Sequence, residues 1–311
     1  MIPWFSGRDV HEAVSPADAY SAVRNAFVAY ALGEWTMQPK LYVTNYPAGD
    51  FRAMPALGGG FALLKWVTSF PRNPARGLPT VTGVVLLSNA ETGALVAVLD
   101  AAAVTALRTG AAAVLAAQTL GLPDARDAAV VGVGVNGAAA ARTFVALGQD
   151  AMLWDLDADR AARVADELGA RVAPTLEEAL AADVVVTVTP GSTILFPSGS
   201  LAPGQHVSLM GADGPGKAEI AVGELARCRL FCDDWEQASH GGELAAAVAE
   251  GAVGRGDVTE LGSVLAAEAP GRTSPNEITL FDSTGLAIQD LAIVKAALER
   301  VDELDLPTLG P

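Results

Sequence analysis

The sequence predicts an α/β chain of two domains, and three observations carry that reading. The first is length: 311 residues, 51% of them hydrophobic, supply two cores at roughly 150 residues per domain. The second is a change of texture near Asp127, from consecutive short strand-like runs to strands that alternate with helices. The third is a glycine-rich turn, Gly132-Val133-Gly134-Val135-Asn136-Gly137, set between an apolar strand and a helix in the second region. They place an α+β domain over residues 1–120 with 285–311, and a parallel α/β domain over 121–284.

In the first region a helix starts at Ser15 as N-cap, with Pro16 at the first helical position and Asp18 completing a capping box. Ala19, Val23, Ala26, Phe27 and Tyr30 follow at helical spacing, and Gly33 ends it. Strands are expected over 40–46, 51–56, 62–69, 80–88 and 94–99, the last two joined by a tight turn at Glu91-Thr92-Gly93. Residues 101–121 read as a buried helix, because Ala dominates and Arg108 interrupts a stretch that would otherwise suit a membrane.

The second region alternates a strand over 128–133, a helix over 137–147, a strand over 151–154, a helix over 158–168 and a strand over 183–188. Thr175 and Glu178 cap a further short helix, 206–210 and 229–232 continue the sheet, and a last helix spans 285–300. In the glycine turn, Gly132 allows the bend, Gly134 lets backbone approach a pyrophosphate, and Gly137 permits close packing of helix on strand. Val135 and Asn136 belong to the cofactor-binding turn, and the N-terminus of the helix that follows presents free N–H groups to the phosphates. Asp155, about 20 residues beyond the turn, stands where an acid accepts the ribose hydroxyls, and after it no cation comes before Arg160 to hold a 2′-phosphate. These features identify a Rossmann domain for NAD rather than NADP. The plainer role for Asp155 is to cap the next helix, for which Asp157 is better placed.

Charge excludes other classes. A net charge of −16 with no Lys/Arg run argues against nucleic acid. The first ten residues hold no apolar export region, so a cytoplasmic enzyme without a membrane anchor is expected. Cys228 and Cys232 read as core cysteines of one strand, and His11, His206 and His240 are too scattered for a metal site.

Against this acidic background, Arg52 and Lys65 stand inside apolar strands, Arg108 lies in an apolar helix, and Lys40 leads into the first strand. A buried cation needs a partner. Singly, each is open to a reading as an edge-strand residue with its head in solvent. As a set they suit a pocket for an anionic substrate, the guanidinium offering a fork and the ammonium a compact charge. Asp213, in the loop Gly211-Ala-Asp-Gly-Pro-Gly-Lys217 at a strand's carboxyl end, either reaches the ligand crevice or shapes the turn.

Read in order, Tyr30-Ala-Leu-Gly33, Arg52-Ala-Met-Pro55, Leu64-Lys-Trp-Val67, Gly77-Leu-Pro-Thr-Val81, Leu107-Arg-Thr-Gly-Ala111, the 211–217 loop, Gln237-Ala-Ser-His-Gly-Gly-Glu243 and Phe281-Asp-Ser-Thr-Gly-Leu-Ala-Ile-Gln-Asp290 run through nearly the whole chain. The chain thereby resembles the ornithine cyclodeaminase/μ-crystallin family, and within it the archaeal-type alanine dehydrogenases. The resemblance implies a homodimer whose first domain, with the C-terminal helix, binds substrate and forms the subunit contact, while the second holds NAD. It implies that Lys65 and Arg108 hold the substrate carboxylate, with Arg52 and Lys40 nearby, and that Asp213 is the acid beside the reacting amine. Thr80 and Ser283 then lie near substrate or nicotinamide, and Thr189 and Lys217 near the cofactor. Ala101 stands where relatives often have Gly, without functional weight.

Cyclodeaminases of this family carry a Glu beside the Met-Pro element, where Arg52 and Ala53 stand here, and a cation there repels a second ammonium. The implied reaction is NAD-dependent oxidative deamination of a small neutral amino acid, alanine first, to a 2-oxo acid and ammonia, or the reverse. A ketimine reductase, an ornithine or lysine cyclodeaminase, and a crystallin-like protein that binds NAD(P)H without turnover are the other readings.

Overall fold

A computed structural model describes residues 1–191, 193–212, 214 and 216–310, and the chain divides into two units: Met1–Arg108 with Leu286–Pro311, and Thr109–Gly285. The division falls inside one helix, whereas the texture of the sequence places it after residue 120. That helix is uniformly rich in Ala and marks no boundary of its own.

The first unit opens with β1 (Ile2–Phe5), α1 (Gly7–Ala13) and α2 (Pro16–Ala31). Both helices begin with a capping box, Ser6 with Asp9 and Ser15 with Asp18, and α2 has Pro16 in its first turn. Then come β2 (Thr36–Met37), β3 (Leu41–Asn45), β4 (Gly49–Gly58), β5 (Phe61–Ser69), β6 (Val81–Asn89), β7 (Leu95–Asp100) and the start of α3 (Ala101–Leu120). Strands β4 to β7 form an antiparallel meander, β1 joins β7 in parallel, and β3 adds to β4. Alternation along β5 buries Leu63, Lys65 and Val67 on one face and leaves Leu64 and Trp66 exposed on the other.

The second unit supplies β8 (Ala128–Val131), α4 (Val135–Ala146), β9 (Met152–Trp154), α5 (Ala158–Leu168), β10 (Arg171–Val172), α6 (Leu176–Leu180), β11 (Val184–Thr187), β12 (His206–Leu209) and α7 (Val222–Leu225). β13 (Cys228–Cys232), α8 (Trp235–Gly241), α9 (Ala245–Ala249), β14 (Val258–Glu260), α10 (Leu261–Leu265) and β15 (Ile278–Asp282) complete it. All eight strands are parallel, in the order β10-β9-β8-β11-β12-β15-β13-β14. The order reverses between β8 and β11, the switch point at which a doubly wound sheet binds ligands. Val185, Val207, Leu209, Leu280 and Phe196 are among the core residues buried against its helices.

The chain then returns to the first unit through α11 (Ala287–Leu298) and β16 (Thr308–Leu309), which pairs antiparallel with β1. Helix α11 packs on α2 and on the Lys65 face of β4 and β5. Within α3, long and apolar enough to cross a membrane, 78% of the most apolar window is buried. His206 is fully buried between the hydroxyls of Ser208 and Thr279, and burial with the nearby Arg272 guanidinium pushes its imidazole down to about 3. It is a neutral strut of the sheet.

Candidate active site

Lys65 sits in the middle of β5, in register with Met54 on β4 and Val85 on β6, and is 1% exposed. Its Nζ donates to Asp290 Oδ1 at 2.9 Å, and Asp290, in the first turn of α11, is itself fully buried. Arg108 brings Nε to within 3.6 Å of the same oxygen, while its Nη1 donates to Gln289 Oε1 at 3.5 Å. Two cations therefore share one carboxylate, and the cluster carries a surplus positive charge.

Arg108 Nε, Gln289 Nε2 and Asp290 Oδ2 are buried and have no hydrogen-bond partner among the described residues. A buried polar atom left in that state costs about 1–3 kcal/mol. Two open donors and one open acceptor, beside a surplus cation, match a ligand that brings both a carboxylate and an N–H group. Burial pushes the Lys65 ammonium down to about 8; Asp290 pulls the other way, and Arg108 and Arg52 add to the lowering.

Arg52 stands two residues from Met54 on the same face, and its Nε pairs with Asp50 Oδ1 at 2.6 Å while its guanidinium lies 5.3 Å over the Tyr42 ring. Lys40 immediately precedes β3 and Thr80 immediately precedes β6, both half-buried, with the Thr80 carbonyl accepting from Phe70 N–H. The structure thus joins Lys65 to Arg108 through Asp290, and gives Arg52 an acid of its own. Sequence reasoning passed over Asp290 and Gln289, although an acid in so apolar a helix raises the same need for a partner as a lysine in an apolar strand.

In the second unit the glycine turn follows β8, with Gly132 at φ 87° and Gly134 as N-cap of α4. No side chain caps that helix, and a Cβ added to Gly134 would meet no atom of the described residues within 4 Å. A Cβ at Gly137 would fall 1.8 Å from the Gly132 carbonyl oxygen, so this contact admits glycine alone. The helix starts at Val135 rather than at Gly137, which leaves Val135 and Asn136 in its first turn and Val135 72% exposed. The open cradle, the free N–H groups and the helix dipole suit a pyrophosphate.

Asp155, just beyond β9, accepts Val133 N–H at 2.8 Å and Asp157 N–H at 2.8 Å, so its carboxylate is fixed against the turn. Asp157 is the residue that caps α5. Arg160 reaches back to Asp155 at 3.2 Å and to Asp157 at 3.2 Å, so the first cation after Asp155 is engaged by two acids. Thr189, just past β11, borders the turn across the switch point, its Cγ2 lying 3.2 Å from where a Cβ of Gly132 would be. Lys217 packs its Cβ against Gly191. Asp213 lies outside the described residues.

Buried acids support this carboxyl edge. Asp233, after β13, accepts from Ser283 Oγ at 3.1 Å, from Thr284 Oγ1 at 3.1 Å and from Gly285 N–H at 2.7 Å, and so fixes Ser283 beyond β15. Glu219 accepts from the hydroxyls of Thr187 and Thr189. Glu243 accepts Glu219 N–H, and burial together with Asp282 pushes its carboxyl up to about 8. Among the described residues, no group of His, Cys, Asp and Glu is arranged to hold a metal.

The chain is 41% identical over 301 residues to the alanine dehydrogenase of Archaeoglobus fulgidus, covering 94% of this chain and 92% of the relative. A solved archaeal alanine dehydrogenase dimer with bound NAD superposes with a TM-score of 0.92 at 38% identity, over 97% of this chain and 96% of that one. The Δ1-pyrroline-2-carboxylate reductase of Thermococcus litoralis, in complex with NADH and L-proline, superposes with a TM-score of 0.92 at 25% identity, over 99% and 100% of the two chains. Residues 5–305 match the family those motifs resemble, and the chain belongs to the ornithine cyclodeaminase/mu-crystallin family.

Proposed function

We propose that this protein is an NAD-dependent dehydrogenase of a small neutral L-amino acid, with alanine as the preferred substrate, forming the 2-oxo acid and ammonia and running in reverse as a reductive amination. The observation that carries it is the buried Lys65–Asp290–Arg108 cluster, with its surplus positive charge and open hydrogen-bonding atoms. In this reading Lys65 and Arg108 hold the substrate carboxylate and fix the α-carbon, and the amine faces the open acceptor of Asp290. The glycine turn holds the pyrophosphate of NAD and Asp155 its adenosine ribose. NAD, when bound, takes a hydride from the α-carbon or returns one. Asp213 is our candidate for exchanging a proton with the amine or the attacking water.

Arg52 supports a substrate with no second ammonium. Its guanidinium lies on the same sheet face as Lys65 and engages Asp50, so that carboxylate is not left for the distal ammonium of ornithine or lysine. The test is NADH consumption with pyruvate plus ammonium, run beside cyclic imines and ornithine. Consumption that requires free ammonium supports the dehydrogenase; consumption with a cyclic imine alone replaces it by a ketimine reductase; ammonia from ornithine without net NADH change replaces it by a cyclodeaminase.

Protonation of Lys65 sets the expected pH dependence. Below about pH 8 the side chain is an ammonium, and above it the charge is lost. Binding of the 2-oxo acid therefore weakens as pH rises through about 8, seen as a rising KM for pyruvate with an inflection there. Lys65→Met should lack that inflection.

We further propose that the exposed face of the first unit's sheet forms a homodimer. Leu41 and Val43 of β3, Leu57 of β4, and Leu64 and Trp66 of β5 share the face opposite Lys65, and all five are exposed. An apolar patch of this breadth marks an interaction surface. Light scattering should give twice the chain mass, and the pair Leu64→Glu with Trp66→Glu should give the single chain.

A further inference from the structure

We infer that Glu219 is a positioning residue of the dinucleotide crevice: it accepts the hydrogen bond of the Thr189 hydroxyl, so that Thr189 meets the cofactor as a hydrogen-bond acceptor. The inference rests on the NAD reading above.

Glu219 is fully buried although it belongs to the loop that follows Lys217. Its carboxylate receives the hydroxyls of Thr187, at 2.6 Å, and of Thr189, together with the backbone N–H groups of Thr189 and Gly211. Burial pushes the Glu219 carboxyl up, and these donors, which fill the roughly four lone-pair sites of an ionised carboxylate, oppose that shift. The rest of the residue is equally committed: its N–H donates to Glu243, and its carbonyl accepts from Leu195 at 2.6 Å and Phe196 at 3.0 Å. No polar atom of Glu219 is left for a ligand, so it acts through what it holds.

What it holds is Thr189. Gly191 N–H donates to Thr189 Oγ1 at 3.3 Å, and the hydroxyl donates to Glu219, which leaves the oxygen one lone pair. Thr189 is half-buried and borders Gly132 at the switch point, where the turn would receive the dinucleotide. A lone pair there suits an N–H or O–H donor, such as a carboxamide or a ribose hydroxyl, and repels a phosphate oxygen. Thr187, held by the same acid, is fully buried and serves as the internal comparison.

The loops are too close to adjust. A Cβ on Gly211 would lie 2.4 Å from the Thr189 carbonyl oxygen and 2.9 Å from Glu219 Oε2, and Ala218 N–H bonds the Gly191 carbonyl at 2.9 Å. Glu219→Gln keeps the shape but puts an NH2 where one hydroxyl donates, and the less buried Thr189 must turn its proton outward.

NADH binding, read by quenching of intrinsic fluorescence, tests this without turnover. Glu219→Gln and Thr189→Val should each weaken NADH about tenfold, the worth of one hydrogen bond. Together they should weaken it no further, because both remove the same oriented oxygen. Thr189→Ser should bind as the unmodified chain does, and Thr187→Val within about twofold of it. Thr189→Val alone decides the matter if Glu219→Gln does not fold: unchanged NADH binding overturns the proposal. Equal losses for Thr187→Val and Thr189→Val also overturn it, since that pattern is what a merely structural acid would produce. An unmodified chain that binds no NADH overturns the cofactor reading as well.

Discussion

Lys65→Met should lower kcat/KM for the amino acid, and for the 2-oxo acid in reverse, by about 100- to 1000-fold, the range seen when one oriented electrostatic contact to a reacting group is removed. The same substitution strands Asp290, fully buried and accepting from Lys65, without its nearest cation. Breaking one side of a buried pair costs about 3–5 kcal/mol. Activity and stability should therefore fall together in Lys65→Met, and the double variant Lys65→Met with Asp290→Asn should recover melting temperature without recovering turnover. Thermal unfolding beside initial rates checks both halves. Rates within about twofold of the unmodified chain in Lys65→Met would remove Lys65 from the substrate site.

Gly134→Ala and Gly137→Ala should separate cofactor binding from folding. At Gly134 an added methyl meets no atom of the described residues within 4 Å, so the melting temperature should hold while the methyl occupies space open to the pyrophosphate. NADH should bind at least about 100-fold more weakly, as expected when the close backbone approach that this glycine allows is blocked. At Gly137 the methyl would stand 1.8 Å from the Gly132 carbonyl oxygen, and relief requires the helix to move off the strand. That variant should lose more than about 3 kcal/mol of stability, the upper range for overpacking. Fluorescence titration with NADH and thermal melts distinguish the two; a Gly134→Ala variant that binds NADH normally would place the pyrophosphate elsewhere.

Much of the second unit is legible in the sequence because parallel strands buried on both faces read as apolar runs, and Val184 to Thr187 or Ala128 to Val131 need no partner to be recognised. Capping residues are equally local: Ser15, Asp157 and Thr175 each stand at the helix start they announce. The short β1 and the edge strand β16 escape notice since two to four residues carry no period, and β1 depends on β7, far along the chain. The cations Lys65 and Arg108 draw attention through their apolar surroundings. Their shared acid does not, because Asp290 is 225 residues from Lys65 in the chain and nothing local pairs them. The acids Glu219 and Asp233 are hidden for the same reason: each is defined by hydroxyls that other strands deliver.

That separation of 225 residues also orders the events of synthesis. Every residue of the second unit, Thr109–Gly285, is synthesised before α11, so most of its parallel sheet emerges from the ribosome ahead of that helix. The meander that carries Lys65 emerges earlier still, yet it has no neutralising acid and no covering helix until Leu286 onward follows. The N-terminal strands must therefore wait, with a lysine they cannot bury, for the last part of the chain to arrive. The charge we propose to hold the substrate carboxylate is also the one whose partner acid is made last.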